Sequence, residues 1–277
     1  MSKKKLKALV VIVEGQTDED LFAAALRDHY EPKGIKIFQY RGDVFFKERH
    51  DKNIREKIRD FVKRELERQQ ISPVHVIGIV HIGDTDGTFI PDDHIIVNGE
   101  VSVTEKKRYS DTHILVVNDT QKGHMEERNR DKSENHRKMI QISKLTISNK
   151  DLPYAHFFMS SNTDHVVFNL RNLSLKEKDD LMKEYVETHN AAEIKALLEA
   201  HMDVCPAGVD PFEYTWGQIQ LGINSLGRKT NTLLIYSFID NLLGGADQVV
   251  VPNASATLVP EAAAPEVNTN YPSTLNS

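Results

Sequence analysis

The chain has 277 residues, 39% hydrophobic and 27% charged, enough apolar material to bury the core of one large domain. Its 35 Lys and Arg against 41 Asp and Glu give a net charge of −6, which excludes a polycationic nucleic-acid coat and leaves room for a local basic patch. The lone cysteine, Cys205, excludes an internal disulfide framework and a four-cysteine zinc site, and the longest apolar run, Ala8 to Val13, is too short to span a bilayer. Lys3, Lys4 and Lys5 lack the apolar stretch of a signal peptide, so the chain reads as soluble and cytoplasmic, with no membrane contact.

Ala8–Val13 is rich in β-branched residues, as a strand buried on both faces is. Thr17 or Asp18 is placed to cap a helix carrying Leu21, Phe22, Ala25 and Leu26. A short strand at Ile35–Phe38 follows Pro32 and Gly34. Ile54, Ile58, Phe61, Val62 and Leu66 then recur at helical spacing, and the interleaved charges from Lys47 to Arg68 read as a solvated face. Val74–Ile82 is a third strand. This alternation predicts an α/β fold, a parallel sheet flanked by helices, whose ligands gather at the carboxyl ends of the strands.

Farther on, Ile95–Val103 predicts a hairpin turning at Asn98-Gly99, within an insertion at residues 91–112. Thr112–Val117 reads as a fourth strand and Tyr154–Met159 as a fifth, separated by a polar stretch from Gln121 to Lys138. Ser174 and Glu177 form a capping-box pattern ahead of Leu181, Met182 and Tyr185. Helices are also expected at Ala191–Met202, around Trp216 as a core residue, and at Thr230–Leu243. The organisation is thus an α/β domain over residues 1–170, a helical C-terminal region over 171–247, and a tail over 248–277 whose few large side chains predict disorder.

Acidic residues stand at two strand ends. Val13-Glu14-Gly15-Gln16-Thr17-Asp18 closes the first strand, with Gly15 permitting a tight turn between Glu14 and Asp18. Gly83-Asp84-Thr85-Asp86-Gly87 follows the third. Oxygen donors without Cys or His suit Mg²⁺ or Mn²⁺. The alternatives are ordinary ones: Glu14 and Asp18 complementing a helix N-terminus, and Asp84–Gly87 forming a turn. Crowding of these carboxylates also predicts that Asp84→Asn and Asp86→Asn leave the metal-free fold intact or slightly more stable.

Together the two motifs, in this order and each after an apolar strand, resemble the Toprim superfamily. The Val13–Glu19 form is most similar to OLD-type and small stand-alone Toprim nuclease effectors of bacterial anti-phage defence and abortive infection. The resemblance covers the first third to half of the chain. It implies that Glu14, Asp84 and Asp86 are catalytic and that Glu14, Asp18, Asp84 and Asp86 hold Mg²⁺ or Mn²⁺. It implies a nuclease acting on DNA or structured RNA, with an ATPase as partner protein; the chain has no P-loop motif of its own. Relatives of this type place a lysine in a later segment, for which Lys122 and Lys138 are candidates. The other reading is a non-catalytic module that binds nucleic acid or a partner.

Further groups stand beside these. Asp164 and His165, after the fifth strand, would add an acid or base to the same edge, or belong to a helix start capped by Thr163 or Asp164. Arg228 and Lys229 lie in a polar basic loop before a helix and are candidate phosphate contacts. His124, His136 and His156 show no ligand spacing and are expected in solvated or loop positions. From its composition, the tail from Gln248 cannot offset the entropy of ordering. A chain ending near Gly245 should therefore melt at the temperature of the full chain, by circular dichroism; a large drop would refute this.

Overall fold

In a computed structural model, which describes residues 6–42 and 53–244, the first apolar run is a strand with a core on each side. Strand β1 (Lys7–Val13) turns Leu9, Val11 and Val13 to one cluster and Ala8, Val10 and Ile12 to the other. Alternation of side chains along a strand makes both faces apolar when both are covered. Helix α1 (Gln16–Tyr30) covers the first face with Leu21, Phe22, Ala25, Leu26 and Tyr30. Strand β2 (Ile35–Arg41) returns parallel to β1, and α2 (Ile54–Arg68) covers the opposite face through Ile58, Val62 and Leu66. Strand β3 (Val76–Asp84) then lies parallel to β1 on its other side.

The insertion that follows differs from the expected hairpin. Strands β4 (Ile95–Val97), β5 (Lys107–Tyr109) and β6 (Ile114–Val116) form a separate three-stranded sheet in the order β4-β6-β5. β4 runs parallel to β6, so Asn98-Gly99 does not join paired strands. The Asn98 N–H instead bonds the Val116 carbonyl at 2.9 Å, while its side chain accepts the Glu100 N–H at 2.8 Å, turning the chain away from the sheet. The fourth strand expected at 112–117 thus belongs to this small sheet. On its open edge, Asn172 receives the Tyr109 N–H at 2.7 Å and donates to the Tyr109 carbonyl at 2.9 Å.

Helix α3 (Asp119–Ile140) occupies the polar stretch. Its buried positions are Met125, Asn129, Lys132, Ser133, His136 and Met139, so the stripe facing inward is mostly polar and hydrophobic periodicity does not reveal it. Strands β7 (Lys144–Ile147) and β8 (Lys150–Met159) follow as a hairpin through Ser148 and Asn149, both in the left-handed region at φ 49° and 64°. β8 lies parallel to β3, completing a five-stranded sheet of order β2-β1-β3-β8-β7.

The C-terminal region is helical: α4 (Thr163–Phe168), α5 (Leu175–Thr188), α6 (Ala191–Ala200), α7 (Pro211–Ile219) and α8 (Leu234–Leu243). Ser174 and Glu177 form the expected capping box on α5. Met182, Ile194, Leu198, Trp216 and Ile239 join the same core as the first face of β1. Among the described residues, no helix is long and apolar enough to cross a membrane. Residues 47–52 of the charged stretch and the tail from Gln248 lie outside the described residues.

Candidate active site

Adjacent parallel strands bring their carboxyl ends together, and β1 and β3 are adjacent. The chain leaves β1 toward β2 on one side and leaves β3 toward β8 on the other, so a crevice opens between their ends, where open α/β sheets hold ligands. Glu14 follows β1 and Asp84 ends β3. The Glu14 Oε1 accepts the Asp84 N–H at 3.0 Å, so both acidic motifs meet at one edge. The loop after Asp84 is tightly held. Thr85 N–H bonds the Met159 carbonyl at 2.9 Å, and Asp86 N–H bonds that of Ser161 at 2.7 Å. Asp86 and Gly87 are both left-handed, at φ 51° and 67°, a conformation costly for a residue with a Cβ and imposed here by these clamps.

Helix α3 delivers the opposite charge. Arg128, Lys132 and His136 recur every fourth residue and so share one face. Lys132 Nζ reaches Asp86 Oδ2 at 2.7 Å and Glu14 Oε1 at 3.3 Å, with its side chain 2% exposed; Arg128 also pairs with Asp86. Burial works to raise the Asp86 pKa, but Lys132, Arg128 and Lys107 outweigh it and hold the carboxylate well below its usual range. Burial likewise opposes the charge on Lys132, yet Asp86 and Glu14 keep it protonated. Asp84 moves the other way. Desolvation first, then the charges of Asp18, Glu14 and Asp86, push its carboxyl well above the ordinary value.

Beneath this layer sits an aromatic cluster. His136 Nδ1 and His156 Nε2 share a hydrogen bond of 2.9 Å, their rings are stacked 5.1 Å apart, and Trp216 stacks on His156. His156 Nδ1 lies 3.2 Å from the His81 carbonyl, and His81 Nδ1 lies 2.8 Å from the Tyr154 hydroxyl. His136 also bonds the Asp84 backbone. His136 and His156 are thus fully buried, which corrects their expected solvated positions; His124 is exposed. Burial, reinforced by Lys132, lowers all three imidazoles, His81 to about 3. Neutral rings can pack beside a buried ammonium and still tie α3 to β3 and β8.

Asp18 and Asp164 form a second lobe. Asp18 Oδ2 accepts the Gly15 N–H at 2.8 Å and Oδ1 accepts the Thr163 hydroxyl, so Asp18 serves the start of α1 from its third position, with Gly15 rather than Thr17 or Asp18 as the cap residue. Burial, more than the nearby Asp164, raises its pKa. Asp164 is 2% exposed and paired with Lys178. Asn162, not Thr163 or Asp164, caps α4 by accepting the His165 N–H at 2.9 Å. His165 is buried, which lowers its pKa to about 4.

The four basic candidates sit in other roles. Lys122 pairs with Glu126 at 3.8 Å and Lys138 with Glu134 at 2.6 Å along α3. Arg228 donates to the carbonyls of Val166 and Val167 at 2.8 and 2.9 Å, satisfying the end of α4, and Lys229 pairs with Asp203 at 2.6 Å. Sequence reasoning missed Arg128 and Lys132. Their four-residue spacing with His136 was the available signal, hidden in a stretch where nearly every residue is polar.

Glu14, Asp84 and Asp86 offer hard oxygen donors, and among the described residues no hydrogen bond or ion pair reaches the Asp84 carboxylate. That donor set fits Mg²⁺ or Mn²⁺. With Asp86 turned to its cations, no three carboxylate, imidazole or thiolate side chains among the described residues already stand in a metal-holding group. No protein-family model matches the sequence, and comparisons with curated proteins and with solved structures give no match.

Two neutralisations separate the roles of Asp84 and Asp86. Below the unfolded carboxyl pKa, about 3.9, neither state is ionised and Asp84 contributes nothing. Above it the unfolded chain ionises first, so Asp84, raised in the fold, costs stability that Asp84→Asn should restore. Asp86 has the opposite sign: its depressed pKa gives stability above about pH 3.9 that is lost as pH falls toward the folded value. The ion pairs therefore reverse the sequence expectation for this residue. Asp86→Asn leaves Lys132 buried beside one fewer anion and should cost on the order of 3 kcal/mol. Thermal unfolding at pH 7 in EDTA should show Asp84→Asn above and Asp86→Asn below the parent; a stabilised Asp86→Asn would mean that carboxylate crowding dominates.

Proposed function

We propose that the chain is a divalent-metal-dependent nuclease that hydrolyses phosphodiester bonds in DNA or structured RNA at the crevice between β1 and β3. The observation that carries this reading is Lys132, a buried ammonium bridging Glu14 and Asp86 where two strand-end acidic motifs meet. Glu14, Asp84 and Asp86 would hold Mg²⁺ or Mn²⁺, with Asp18 supporting them from the start of α1. When bound, the ion polarises the phosphoryl group and lowers the pKa of a water.

The chain's own part is positioning and charge. Lys132 and Arg128 would offset the negative charge that grows on the phosphoryl oxygens, in a place where little water screens them. The His136–His156 pair fixes the helix that carries both cations. Glu14 is oriented by the Asp84 backbone, so the two acidic motifs cannot separate without breaking that bond. The resemblance of 13–19 and 84–87 to Toprim nucleases extends the proposal to a cytoplasmic effector of anti-phage defence acting with an ATPase partner.

A second reading has one observation in its favour. Asp86 already has two cations of its own, as in a non-catalytic module whose acidic cluster is neutralised internally. Purified protein incubated with DNA and RNA, with Mg²⁺, Mn²⁺ or EDTA, separates the two. Divalent-dependent cleavage should fall at least about 100-fold in Glu14→Gln and in Lys132→Met, with thermal unfolding confirming that each variant folds. Nucleic-acid binding without cleavage under either metal, unaltered by Glu14→Gln, would leave the second reading.

A further inference from the structure

The small sheet brings one more cation to the crevice. Lys107 and Tyr109 stand on the same face of β5, directly opposite Val116 and Ile114 of β6. Those two residues are buried in an apolar cluster with Ile95 and with Met125 of α3, and the Tyr109 ring packs against it. Lys107 is half-buried on that face, a position from which a lysine can lay its aliphatic stem on apolar surface and keep its ammonium in water. Tyr109 steadies that end: Lys107 Nζ donates to the Tyr109 hydroxyl at 2.8 Å and lies 4.9 Å from the centre of its ring. The Tyr109 backbone is in turn held at both its N–H and its carbonyl by Asn172.

Four cations on the elements around the pocket each have a carboxylate. Arg128 and Lys132 hold Asp86, Arg108 holds Glu105, and Lys178 holds Asp164. Lys107 has none within ion-pair reach among the described residues; its fixed partner is a neutral phenol. A cation held in place by neutral groups, half-buried and beside an acidic pocket, is suited to an anion supplied from outside. The sheet also lies against the pocket: Met125, in the cluster under β5, is 3.8 Å from Arg128 Nη1, and a Cβ on Gly87, next to Asp86, would stand 3.2 Å from Ile114 Cδ1.

We propose that Lys107, steadied by Tyr109, is a phosphate-binding arm that contacts the backbone of a nucleic-acid strand next to the phosphate at the acidic centre. The inference rests on the proposed function and names a further substrate contact for it. It also explains why the insertion lies where it does: the small sheet would form one wall of a strand-binding groove, with α3 as its floor.

Binding is measured in EDTA by fluorescence anisotropy, with labelled single-stranded DNA and RNA of one sequence, over a salt series, so that hydrolysis plays no part in the readout. One lost phosphate contact lowers the slope of log affinity against log salt by about 0.7 for a single strand. Lys107→Met, which keeps the stem, should show that loss and weaker binding; Tyr109→Phe should show a smaller loss in the same direction. The exposed neighbour Lys106, changed to Met, removes the same charge outside the groove and should leave the slope unaltered. An unchanged slope for Lys107→Met, an equal drop for Lys106→Met, or no binding of either strand by the intact chain overturns the proposal. The DNA and RNA arms show which backbone is held more tightly. A normal slope in Lys107→Met with cleavage abolished by Glu14→Gln removes the arm and leaves the nuclease reading standing. A reduced slope with no cleavage under any divalent ion supports the arm and removes the nuclease reading.

Discussion

The Lys132 ammonium, 2% exposed, organises the site around it. Burying a charge is costly unless partners of opposite sign surround it, and a lysine side chain loses much rotamer freedom when held. Glu14 and Asp86 meet that requirement from two different strand ends. Because they do, the loop after β3 must keep Asp86 in a left-handed conformation that few residues tolerate, and α3 must present a polar stripe inward. Removing the lysine would leave the carboxylates facing one another with Arg128 as the nearest counter-charge.

That stripe has consequences deeper in the molecule. A polar helix face can be buried only if its partners satisfy it, and the strands beneath α3 carry His81 and His156 where neighbouring positions carry Val80 and Phe157. The imidazoles supply hydrogen bonds without adding a further positive charge to Lys132 and Arg128, which already share Asp86. Trp216 then covers His156 and donates its ring N–H to the His156 carbonyl at 3.0 Å. The acidic centre, the helix, the histidines and the tryptophan are thus layers of one arrangement, each compatible with the next through charge and hydrogen bonding.

This explains what the sequence made legible. Long apolar runs such as 8–13 identify central strands, because a strand covered on both faces has little choice of residue. The acidic motifs at 14–18 and 84–87 were visible because they follow such runs, and the parallel order of β1 and β3 puts them at one edge. Helix α3 was not legible. Its inward face carries Asn129, Lys132, Ser133 and His136, so the apolar period that marks a helix is absent. The hairpin through Ser148 and Asn149 lacks the Asn-Gly pair by which such turns are recognised, whereas Asn98-Gly99 has that pair but serves a different turn. Arg228 and Lys229 looked free because their partners, the end of α4 and Asp203, are distant in sequence.

Asn172 carries a consequence for how copies of this chain meet. Strand β5 lies at the edge of its sheet, and an edge strand exposes hydrogen-bonding groups that a strand from another molecule can adopt. The outward N–H and carbonyl of Tyr109 are both taken by the Asn172 amide, which imitates the backbone of a neighbouring strand for the length of one residue. Extension of the small sheet into a second molecule would first have to displace that amide. A single side chain thereby guards against the edge-to-edge association that short exposed strands invite.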